Sequence, residues 1–554
     1  METNNASAGG AFLLGMPSDS LAPERFSDEQ QLIAQTAERF AQEEIAAASE
    51  AIERQDFTVI RGLLRRAGEL GLAGVEVPEE FGGAGMDLTT SALVADHLAV
   101  QGSFSVSFGA HAGIGTLPLV HFGSAEQKAR YLPKLASGEW VAAYALSEAE
   151  SGSDALAMRT TATAAGDGDF ALSGEKMWIS NAGFADLFTV FAKLEGKVTA
   201  FLVEAATPGM ATGAEEHKMG IWGSSTRALL LREARVGRGQ MLGQPGEGAH
   251  IAFQILNAGR IKLGAACIGG ARNLMRQTIA YAQQRHAFGR AIASYGLIEQ
   301  HLATMAIELY AAECTVYRTT GLMDAAGNLE EHAAECAMVK IAASEMMDRV
   351  ADLAVQIHGG NGFVRGNAAE RAYRDARVNR IFEGTNEINR LLASGVLLRR
   401  AQQGRLGLMP AIQALQQAWL APGGEAGTPL LERARQMVLL AMGSAARRHG
   451  EALAQEQEIL AALTDLAMGL YAMQSAWLRD RDGLLTQAVI CERMDAMETT
   501  ARRLLAASSE GDELRTQLAW LRRLAKREAV DILGLRRRIG RGVIANLGYV
   551  ATVG

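Results

Sequence analysis

The chain has 554 residues, too many for a single hydrophobic core, so roughly three or four domains are expected. With 48% apolar and 21% charged residues, it has the composition of an ordinary globular protein rather than a disordered or fibrous one. The formal net charge of −8 argues against a protein that binds nucleic acid over its whole surface.

The cysteines and histidines argue against disulfide and metal chemistry. Four cysteines are spread along the chain without a C-x-x-C spacing, which predicts a reduced, intracellular protein. The ten histidines include no H-E-x-x-H pair, so no metal site is predicted.

Residues 1–26 are predicted to form a flexible leader. The second residue is acidic, no basic region follows and the apolar run is short, which is unlike a signal or transit peptide. No stretch of about twenty apolar residues is free of charge, so no membrane-spanning helix is predicted. The expected location is the bacterial cytoplasm.

Residues 27–140 are predicted to form an N-terminal helical domain. Ser27 is an N-cap residue type, and apolar residues recur after it at helical spacing. The same period over 60–70 predicts a second helix, which should end at Gly71. The pattern over 88–100 predicts another helix after a glycine-rich loop.

A helix-like stretch in this domain is rich in glycine, at Gly109, Gly113 and Gly115. Small residues on a helix usually allow close packing of a neighbour, and we give this interpretation about two chances in three. The alternative is room for a long apolar ligand.

Residues 141–246 are predicted to form a β-domain. Short runs rich in Val, Thr, Phe and Leu alternate with turn residues. The pattern predicts one hairpin over 160–179, a second over 187–203 and a further strand over 227–236.

The remaining chain is predicted to be helical. Residues 247–400 should form an antiparallel four-helix domain, with long helices over 249–283, 298–325, 331–357 and 369–378. Residues 401–554 are predicted to form an additional helical domain, interrupted by a linker-like stretch at 421–427.

The segment R-I-F-E-G-T-N-E-I at 380–388 places Glu383 in a loop before a predicted helix. An acidic residue there is often a surface group beside the positive end of a helix dipole. The alternative is a general base held against a pocket wall by Phe382. The segment alone gives these two interpretations about even odds.

The domain order and several separated motifs resemble the acyl-CoA dehydrogenase family, most closely its very-long-chain branch. These motifs are Y-L-P-K-L-A-S-G-E at 131–139, S-E-A-E-S-G-S-D at 147–154, I-L-N-A-G-R at 255–260, Y-G-L-I at 295–298 and I-F-E-G-T-N-E-I at 381–388. The resemblance implies a mainly α fold with an N-terminal helical domain, a middle β-barrel-like domain and a C-terminal four-helix bundle. An extra C-terminal helical domain is also found in that branch.

The resemblance implies FAD-dependent oxidation of long-chain fatty acyl-CoA to trans-2-enoyl-CoA in fatty acid β-oxidation. Glu383 would be the base that removes the α-proton, while hydride passes from the β-carbon to flavin N5 and electrons pass on to an electron-transfer flavoprotein. Some branches place the catalytic glutamate at the position of Gly259. Glycine there leaves Glu383 as the candidate base.

The family motifs also imply ligand-binding residues. Ser147 stands where the family usually has threonine, and Ala149 where it usually has proline. The implied cofactor-binding residues are Tyr144, Ser147, Gly152, Ser153, Trp178, Ile179, Ser180, Arg285, Phe288, Gln356, Gly359, Gly360, Thr385 and Glu387. The implied substrate-binding residues are Ser153, Asn257, Arg260 and Gly384.

The family's R-x-x-F-G motif reaches the FAD of a neighbouring subunit, which implies that the protein is not an active monomer. In the branch resembled, the extra C-terminal region occupies the space where a second dimer packs in tetrameric relatives, so the resemblance implies a homodimer. The basic, leucine-containing stretch at 514–542 is either an amphipathic helix on an anionic membrane surface or an arginine-rich bundle face, at about one to two. Two other functions stay open: an oxidase or monooxygenase on the same fold, and a non-catalytic assembly protein.

Overall fold

The computed structural model describes residues 8–166, 168–420 and 428–551. The protein forms two compact units. The first, which we call the sheet unit, comprises Phe26–Gly270 and Arg371–Glu383. The second, the helical unit, comprises Met1–Arg25, Ala271–Glu370 and Gly384–Gly554.

The N-terminal part of the sheet unit is helical, as predicted. The Ser27 hydroxyl accepts the backbone N–H of Gln30, and the Gln30 side chain accepts the N–H of Ser27, so a capping box starts the first helix. The Asp56 side chain similarly caps the helix that was predicted over 60–70. The helices are Asp28–Phe40, Ser49–Glu53, Phe57–Glu69, Leu88–Leu98, Gly102–Phe108, Leu117–Phe122 and Ala125–Ala136.

The glycine-rich stretch is a helix with a distorted turn. A π-helical turn occupies Gly109–Gly115, and Gly113 leaves helical geometry at φ −92° and ψ −107°. A methyl group at Gly115 would lie 2.8 Å from the Cβ of Ala142, so close packing explains this glycine. A methyl group at Gly109 would have no atom within 4 Å. Close packing is therefore confirmed at Gly115, and Gly109 has open space beside it.

The middle part of the sheet unit is one eight-stranded mixed sheet. Its strands are β1 (Ala142–Ala145), β2 (Thr161–Ala164), β3 (Phe170–Ser180), β4 (Leu187–Leu194), β5 (Lys197–Glu204), β6 (Met210–Glu215), β7 (Thr226–Val236) and β8 (Met241–Leu242). Hydrogen bonds connect them in the order β6-β7-β3-β2-β4-β5-β8, and β1 pairs with β4 in parallel.

Both predicted hairpins are present as antiparallel pairs, β2 with β3 and β4 with β5. The strand predicted over 227–236 is β7, which pairs with β3. The sequence patterns did not indicate β1, β6 or β8. The core of the sheet is built from inward side chains such as Leu172, Phe188 and Phe201.

The helical unit contains most of the long helices. They are Gly296–Ala326, Ala333–His358, Asn386–Gln402, Leu408–Leu420, Leu430–His449, Gln457–Arg479, Leu484–Ser508, Gly511–Ala525 and Ile532–Ala545. Gly248–Gln284 and Ala368–Ala376 are further helices. Gly248–Gln284 and Gln457–Arg479 are long and apolar enough by composition alone to cross a membrane, but 72% of the apolar window of each is buried inside the protein.

The helix predicted over 369–378 is present but short, as Ala368–Ala376, and a 3-10 turn follows at Arg377–Arg380. Glu383 and Gly384, in the loop after this turn, both adopt positive φ and so are not helical. The fourth long helix of this region is Asn386–Gln402, whose first turn is capped by the Thr385 hydroxyl.

The prediction of a flexible leader is wrong over residues 8–25, the part of the leader that is described. Phe12 is 3% exposed and packs its ring against Tyr471 at a centroid distance of 5.0 Å. The backbone N–H of Gly10 donates a hydrogen bond to the buried carboxylate of Glu335 at 2.7 Å. This segment is fixed by tertiary contacts that its short apolar run does not by itself indicate.

The basic C-terminal stretch is two helices rather than one, Gly511–Ala525 and Ile532–Ala545. Arg536 pairs with Glu492 at 2.7 Å, and Arg541 pairs with Glu299 at 3.0 Å. The leucines on the inner face, Leu521 and Leu524, are 1% exposed. These contacts are those of a bundle face. The linker predicted at 421–427 lies outside the described residues.

Candidate active site

The loop before helix Asn386–Gln402 carries Glu383 in a left-handed backbone conformation, with φ 56°, followed by Gly384 with φ 81°. This conformation is strained by about 1 kcal/mol or more for a residue with a side chain, so the surrounding fold must hold it. Arg260 does so in part, because its Nε donates a hydrogen bond to the backbone carbonyl of Glu383 at 3.2 Å. Its Nη1 donates to Asn257 Oδ1 at 2.7 Å.

The half-buried carboxylate of Glu383 faces helix Gly248–Gln284 at Gly259. A methyl group at position 259 would lie 2.8 Å from Glu383 Oε2 and 3.0 Å from Cγ2 of Ile114. Both distances are shorter than a normal van der Waals contact, so glycine leaves the room that the carboxylate occupies. The position where other branches place a base is thus in contact with Glu383.

Tyr144 on β1 lies near the same carboxylate. Burial raises the pKa of Tyr144 well above its ordinary value, the charge of Glu383 raises it further, and Arg260 opposes the change. The predicted residues Tyr144, Asn257, Arg260 and Glu383 therefore come together in the sheet unit. Tyr144 is 8% exposed and packs against Phe191, so little of its ring is available to a cofactor.

Trp178 and Ser147 form a second group in the sheet unit. Trp178 has φ 57° and is 52% exposed, although it lies in β3 next to the buried Ile179. The backbone N–H of Met177 donates to the carbonyl of Ser147 at 2.9 Å, which places the Ser147 loop beside Trp178. The half-exposed hydroxyl of Ser180 follows two residues later. An exposed indole face with hydroxyls nearby suits a planar, polar-edged ligand.

Three predicted cofactor residues near this group differ in what they expose. Ile179 is 2% exposed and belongs to the core of the sheet, so its side chain is not available to a cofactor. Only its backbone is available for such a contact. Gly152 and Ser153 are exposed in the loop that follows β1.

A buried ion pair supports the Ser147 loop. Lys176 on β3 is fully buried, and its Nζ donates to Glu148 Oε1 at 2.8 Å and to the carbonyl of Leu146 at 3.1 Å. Burial by itself would raise the pKa of Glu148, but hydrogen bonds from Arg159 N–H, Lys176 and Thr160 bring that pKa to about 2. The sequence analysis did not select this pair. A lysine at an inward position of a strand was the available signal.

The carbonyl of Gly384 is held by residues that the sequence analysis also missed. In the helical unit, Lys340 Nζ donates to this oxygen at 2.8 Å and Asn389 Nδ2 donates at 2.7 Å. Lys340 also donates to Asn386 Oδ1 at 2.8 Å. Lys340 is fully buried between apolar neighbours on helix Ala333–His358, which is a recognisable sign of a structural or functional role.

The motif R-x-x-F-G forms a tight hairpin in the helical unit. Phe288 and Gly289 occupy its tip with φ 50° and 82°, and Phe288 is 96% exposed. Two positive φ angles define the turn type that closes short hairpins. Arg285 is exposed at its base. The structure therefore presents the aromatic ring and the guanidinium outward.

The glycine-rich turn lies close to this hairpin. Helix Ala333–His358 ends at Gly359, which has φ 59° and ψ −137°. The ring of Tyr281 stacks on His358 at 4.2 Å, and the Tyr281 hydroxyl accepts a hydrogen bond from Asn361 at 3.0 Å. The backbone carbonyl of Tyr281 also accepts a hydrogen bond from the backbone N–H of Arg285. The turn with its exposed Gln356, Gly359 and Gly360 is thereby joined to the Arg285 hairpin.

Thr385 and Glu387, two further residues of the predicted cofactor set, lie at the start of helix Asn386–Gln402. The Thr385 hydroxyl accepts the N–H of Ile388 as a helix cap at 3.3 Å. Glu387 is exposed in the first turn of the same helix. Its pKa is lowered, first by its own backbone N–H, as expected for an acid at a helix N-terminus.

The chain matches four domain families in sequence order. They are the N-terminal domain of acyl-CoA dehydrogenase at residues 27–139, the middle domain at 143–234, and its C-terminal domain at 246–398 and again, as a second family of that description, at 433–523. The chain belongs to the acyl-CoA dehydrogenase family.

Three relatives illustrate the range of acyl-CoA dehydrogenases to which the chain is similar. A probable acyl-CoA dehydrogenase of Bacillus subtilis is 43% identical over 97% of each chain. The crystal structure of a Bacillus anthracis acyl-CoA dehydrogenase complexed with FAD has a TM-score of 0.95 and 42% identity, covering 98% of this chain and 100% of that one. The human mitochondrial very long-chain specific enzyme is 38% identical over 71% of this chain and 60% of its own length.

The acyl-CoA dehydrogenase family uses FAD, and the residues of this protein fit that cofactor. In the sheet unit, the exposed face of Trp178 and the hydroxyls of Ser147 and Ser180 suit the edge of a flavin ring. In the helical unit, Arg285 suits a pyrophosphate because a guanidinium is always charged and donates in pairs. A methyl group at Gly359 or Gly360 would meet no atom within 4 Å, so bare backbone is accessible there.

Proposed function

We propose that this acyl-CoA dehydrogenase oxidises long-chain fatty acyl-CoA to trans-2-enoyl-CoA as a step of fatty acid β-oxidation. Glu383 takes the proton from the α-carbon. FAD supplies the acceptor for the hydride that leaves the β-carbon. The observation that carries the proposal is the contact of the Glu383 carboxylate with Gly259, while Arg260 fixes the Glu383 backbone.

The protein contributes more than the base. A carboxylate packed against Gly259 has limited freedom to move, and pre-organised geometry lowers the barrier to proton transfer. Closure of the pocket over an acyl chain would exclude water and make the carboxylate a stronger base. The backbone N–H of Glu383 is the proposed donor to the thioester oxygen as negative charge develops there.

The proposed substrate residues divide into two classes. Asn257 and Arg260 are each 5% exposed and bonded to one another, so they position the Glu383 loop rather than reach far into a ligand. Ser153 is exposed on its loop and suits the coenzyme A portion. Gly384 offers bare backbone beside the base, with its carbonyl turned to Lys340 and Asn389.

The preference for long chains is supported by the space at Gly109 and by the similarity to the human very long-chain specific enzyme. Each additional methylene that is buried contributes about 0.8 kcal/mol, or roughly fourfold in affinity. Titration of the oxidised enzyme with acyl-CoAs of increasing length, followed by flavin absorbance, measures this preference. A best substrate of four carbons or fewer would contradict it.

Transfer of electrons to an electron-transfer flavoprotein and assembly as a homodimer are further parts of the proposal. Phe288, Phe363 and Leu297 of the helical unit are 96%, 85% and 76% exposed, which is unusual for such large apolar groups unless they meet a partner. Sedimentation velocity of the FAD-loaded protein tests the dimer. Slow reoxidation by air after anaerobic reduction by acyl-CoA would separate a dehydrogenase from an oxidase.

Cytoplasmic location is supported by the four free cysteines, three of them buried, as expected in a reducing compartment. The ion pairs of Arg536 and Arg541 favour the bundle-face interpretation of the C-terminal helices over contact with a membrane. Co-sedimentation with anionic vesicles that salt abolishes would support the membrane interpretation instead.

The variant Glu383→Gln tests the proposed base directly. It keeps the size and hydrogen-bonding edge of the side chain but cannot accept the α-proton. We expect FAD content and acyl-CoA affinity within about threefold of the wild type, and a fall in turnover on the order of 10⁴-fold or more. Substantial turnover by this variant in an anaerobic flavin-bleaching assay would show that another group is the base.

A further inference from the structure

A cavity of about 260 Å³ lies in the helical unit. Its walls come from helices Gly296–Ala326, Ala333–His358, Gln457–Arg479 and Leu484–Ser508, with Arg390 completing one side. Two of these helices belong to the region predicted as catalytic and two to the additional C-terminal region.

The lining of the cavity is apolar at one end and charged at the other. On helix Gly296–Ala326, Glu308 comes before Ala312 and Thr315, while on helix Ala333–His358 Arg349 comes about three turns after Met338. Because the two helices run in opposite directions, Arg349 in the later part of one lies beside Glu308 in the earlier part of the other. The two side chains form an ion pair. From residue 308 to residue 315 the wall extends about 10 Å along a helix axis.

The charged end holds two arginines on one carboxylate. Glu308 Oε2 accepts from Arg349 Nη2 at 2.6 Å and from Arg493 Nη2 at 2.9 Å. Burial would raise the pKa of Glu308, but Arg493 and Arg349 lower it, so the group is ionised. Two cations and one anion leave an excess of one positive charge. Each guanidinium has five N–H donors, of which Glu308 takes one.

A second ionic group among the lining residues has the opposite balance. Arg390 donates to Glu345 at 2.8 Å and to Asp465 at 2.8 Å, so one cation faces two carboxyls. Burial raises the pKa of Asp465. An anion that enters the cavity is therefore attracted to Arg349 and Arg493 rather than to Arg390.

The remaining lining suits a hydrocarbon. The side chains there are Ala311, Ala312, Met338, Val339, Ala342, Met468, Ala472 and Met497. Methionine adapts its shape to flexible apolar ligands, and small alanines leave the space open. The volume is below the range usual for drug-sized ligands, which excludes a nucleotide or a complete acyl-CoA.

We infer that this cavity binds a small aliphatic carboxylate, with the head group on Arg349 and Arg493 and the alkyl chain among the methionines and alanines. A divalent cation fits less well, because the carboxylates of this end already accept hydrogen bonds from arginines. At the group of Arg349, Arg493 and Glu308, a cationic head group would be repelled by the local excess of one positive charge. The inference does not depend on the identity of the base or on the acyl chain length.

Octanoate is the probe for a first experiment on the FAD-loaded protein. Isothermal titration calorimetry should show binding by the wild type and binding at least tenfold weaker by Arg349→Met, which removes the charge and keeps the stem. In this variant Glu308 still pairs with Arg493, so helices Gly296–Ala326 and Leu484–Ser508 stay joined. Arg502→Met is the matched control, because Arg502 pairs only along its own helix with Glu498, and it should bind octanoate like the wild type.

Two further measurements complete the test. Ala342→Leu fills the apolar end and should abolish octanoate binding, with a thermal midpoint within a few degrees of the wild type. Octylamine should not bind. The proposal is overturned if the wild type does not bind octanoate, if octylamine binds equally well, or if Arg349→Met and Ala342→Leu both bind it unchanged. The last result would place the ligand at another site, such as the acyl pocket.

Discussion

Gly259 lies against the carboxylate of Glu383, and its missing side chain is a testable requirement. In Gly259→Ala the new methyl group would lie 2.8 Å from Glu383 Oε2, so the carboxylate must move. A displacement of about 1 Å typically costs on the order of 100-fold in rate. We therefore expect kcat to fall by roughly 10- to 100-fold, with FAD content unchanged, in a steady-state assay.

The control for this variant is Gly62→Ala. Gly62 is an exposed glycine inside helix Phe57–Glu69, and a methyl group there would meet no atom within 4 Å. Alanine should stabilise that helix by about 0.5–1 kcal/mol and leave the rate unchanged. If Gly259→Ala were as active as this control, the carboxylate would not be confined as the structure shows.

Asp375 is a buried carboxyl outside the proposed chemistry, and its pKa predicts a pH effect on stability. Burial raises this pKa from 3.8 to about 7, a bond from the N–H of Ile221 opposes the rise and Glu53 adds to it. Because the folded-state pKa is raised, the contribution of Asp375 to stability is complete below about pH 4 and is lost as pH rises through 7. The full effect is on the order of 4 kcal/mol.

The variant Asp375→Asn imitates the protonated carboxyl and still accepts the N–H of Ile221. We expect it to have a higher thermal midpoint than the wild type at pH 8, with the difference shrinking toward pH 5. Thermal unfolding of both proteins across this range, at constant ionic strength, measures the effect. Parallel profiles for the two proteins would mean that Asp375 titrates at its ordinary pKa in the fold.

Strand β3 and the loop after β1 are joined by Lys176 and Glu148, so this pair links the two elements that carry Trp178 and Ser147. Lys176→Met should leave Glu148 buried with hydrogen bonds but no cation. Breaking such a pair costs about 3–5 kcal/mol. We expect a lower FAD content per chain, measured by absorbance after purification, together with a lower thermal midpoint.

Two companion variants make the prediction specific. Lys193→Met, on the outer part of β4, should retain the wild-type FAD content. The double variant Lys176→Met with Glu148→Gln removes both charges and should recover part of the lost stability. A double variant as unstable as the sum of the two single variants would show that the charges are not coupled.

The elements that could be predicted from sequence are those defined by nearby residues. Ser27 and Gln30 mark a helix start by their own side chains, and the hairpins are marked by turn residues between apolar runs. Strand β1 is short and fully buried, so it shows no alternation. The break at Glu383 and Gly384 depends on positive φ angles at both residues. The sequence pattern placed these residues in a loop but did not predict the angles.

The candidate site was predictable to a similar extent. Motif resemblance selected Glu383, Arg260, Asn257 and Tyr144, which the structure brings together, although their roles remain proposals. It did not select Lys340, which fixes the Gly384 carbonyl from a different helix. Contacts of that kind depend on which helices pack side by side, and a single residue in an apolar run does not specify its partner.

A buried ionic cluster connects segments of the helical unit that are far apart in sequence. Arg479 pairs with Glu313 at 2.5 Å and with Glu24 at 2.6 Å, and Tyr549 donates to Glu313 at 2.8 Å. Burial would raise the pKa of Glu313, but Arg479 and Arg272 bring it to about 2. The cluster joins the N-terminal segment, helix Gly296–Ala326 and Tyr549 near the C-terminal end of the described residues.

Arg479→Met should therefore destabilise the whole protein. Arg479 and Glu313 are 4% and 5% exposed, and removing one partner of a buried pair costs about 3–5 kcal/mol. Because the pKa of Glu313 is depressed, the cluster contributes above about pH 4.5 and its contribution is lost as pH falls toward 2. The deficit in denaturant-induced unfolding at pH 7 should shrink at pH 4.

The neighbouring Arg481→Met is the control, since Arg481 is exposed and stacks on Trp477. It should change the free energy of unfolding by less than about 1 kcal/mol. Equal stability of Arg479→Met and Arg481→Met at pH 7 would contradict the cluster's proposed contribution.

The packed N-terminal segment sets an order of events on the ribosome. Glu24 is separated by 455 residues from its partner Arg479, so the segment emerges first and its contacts are made last. At about 5–20 residues per second, synthesis of the chain between Glu24 and Arg479 takes roughly 20–90 seconds. The N-terminal segment lacks these contacts for that time. During this interval Phe12 and Leu13, both buried in the finished protein, are exposed to chaperones and to other nascent chains. Slower elongation would lengthen that exposure without changing any contact of the native state.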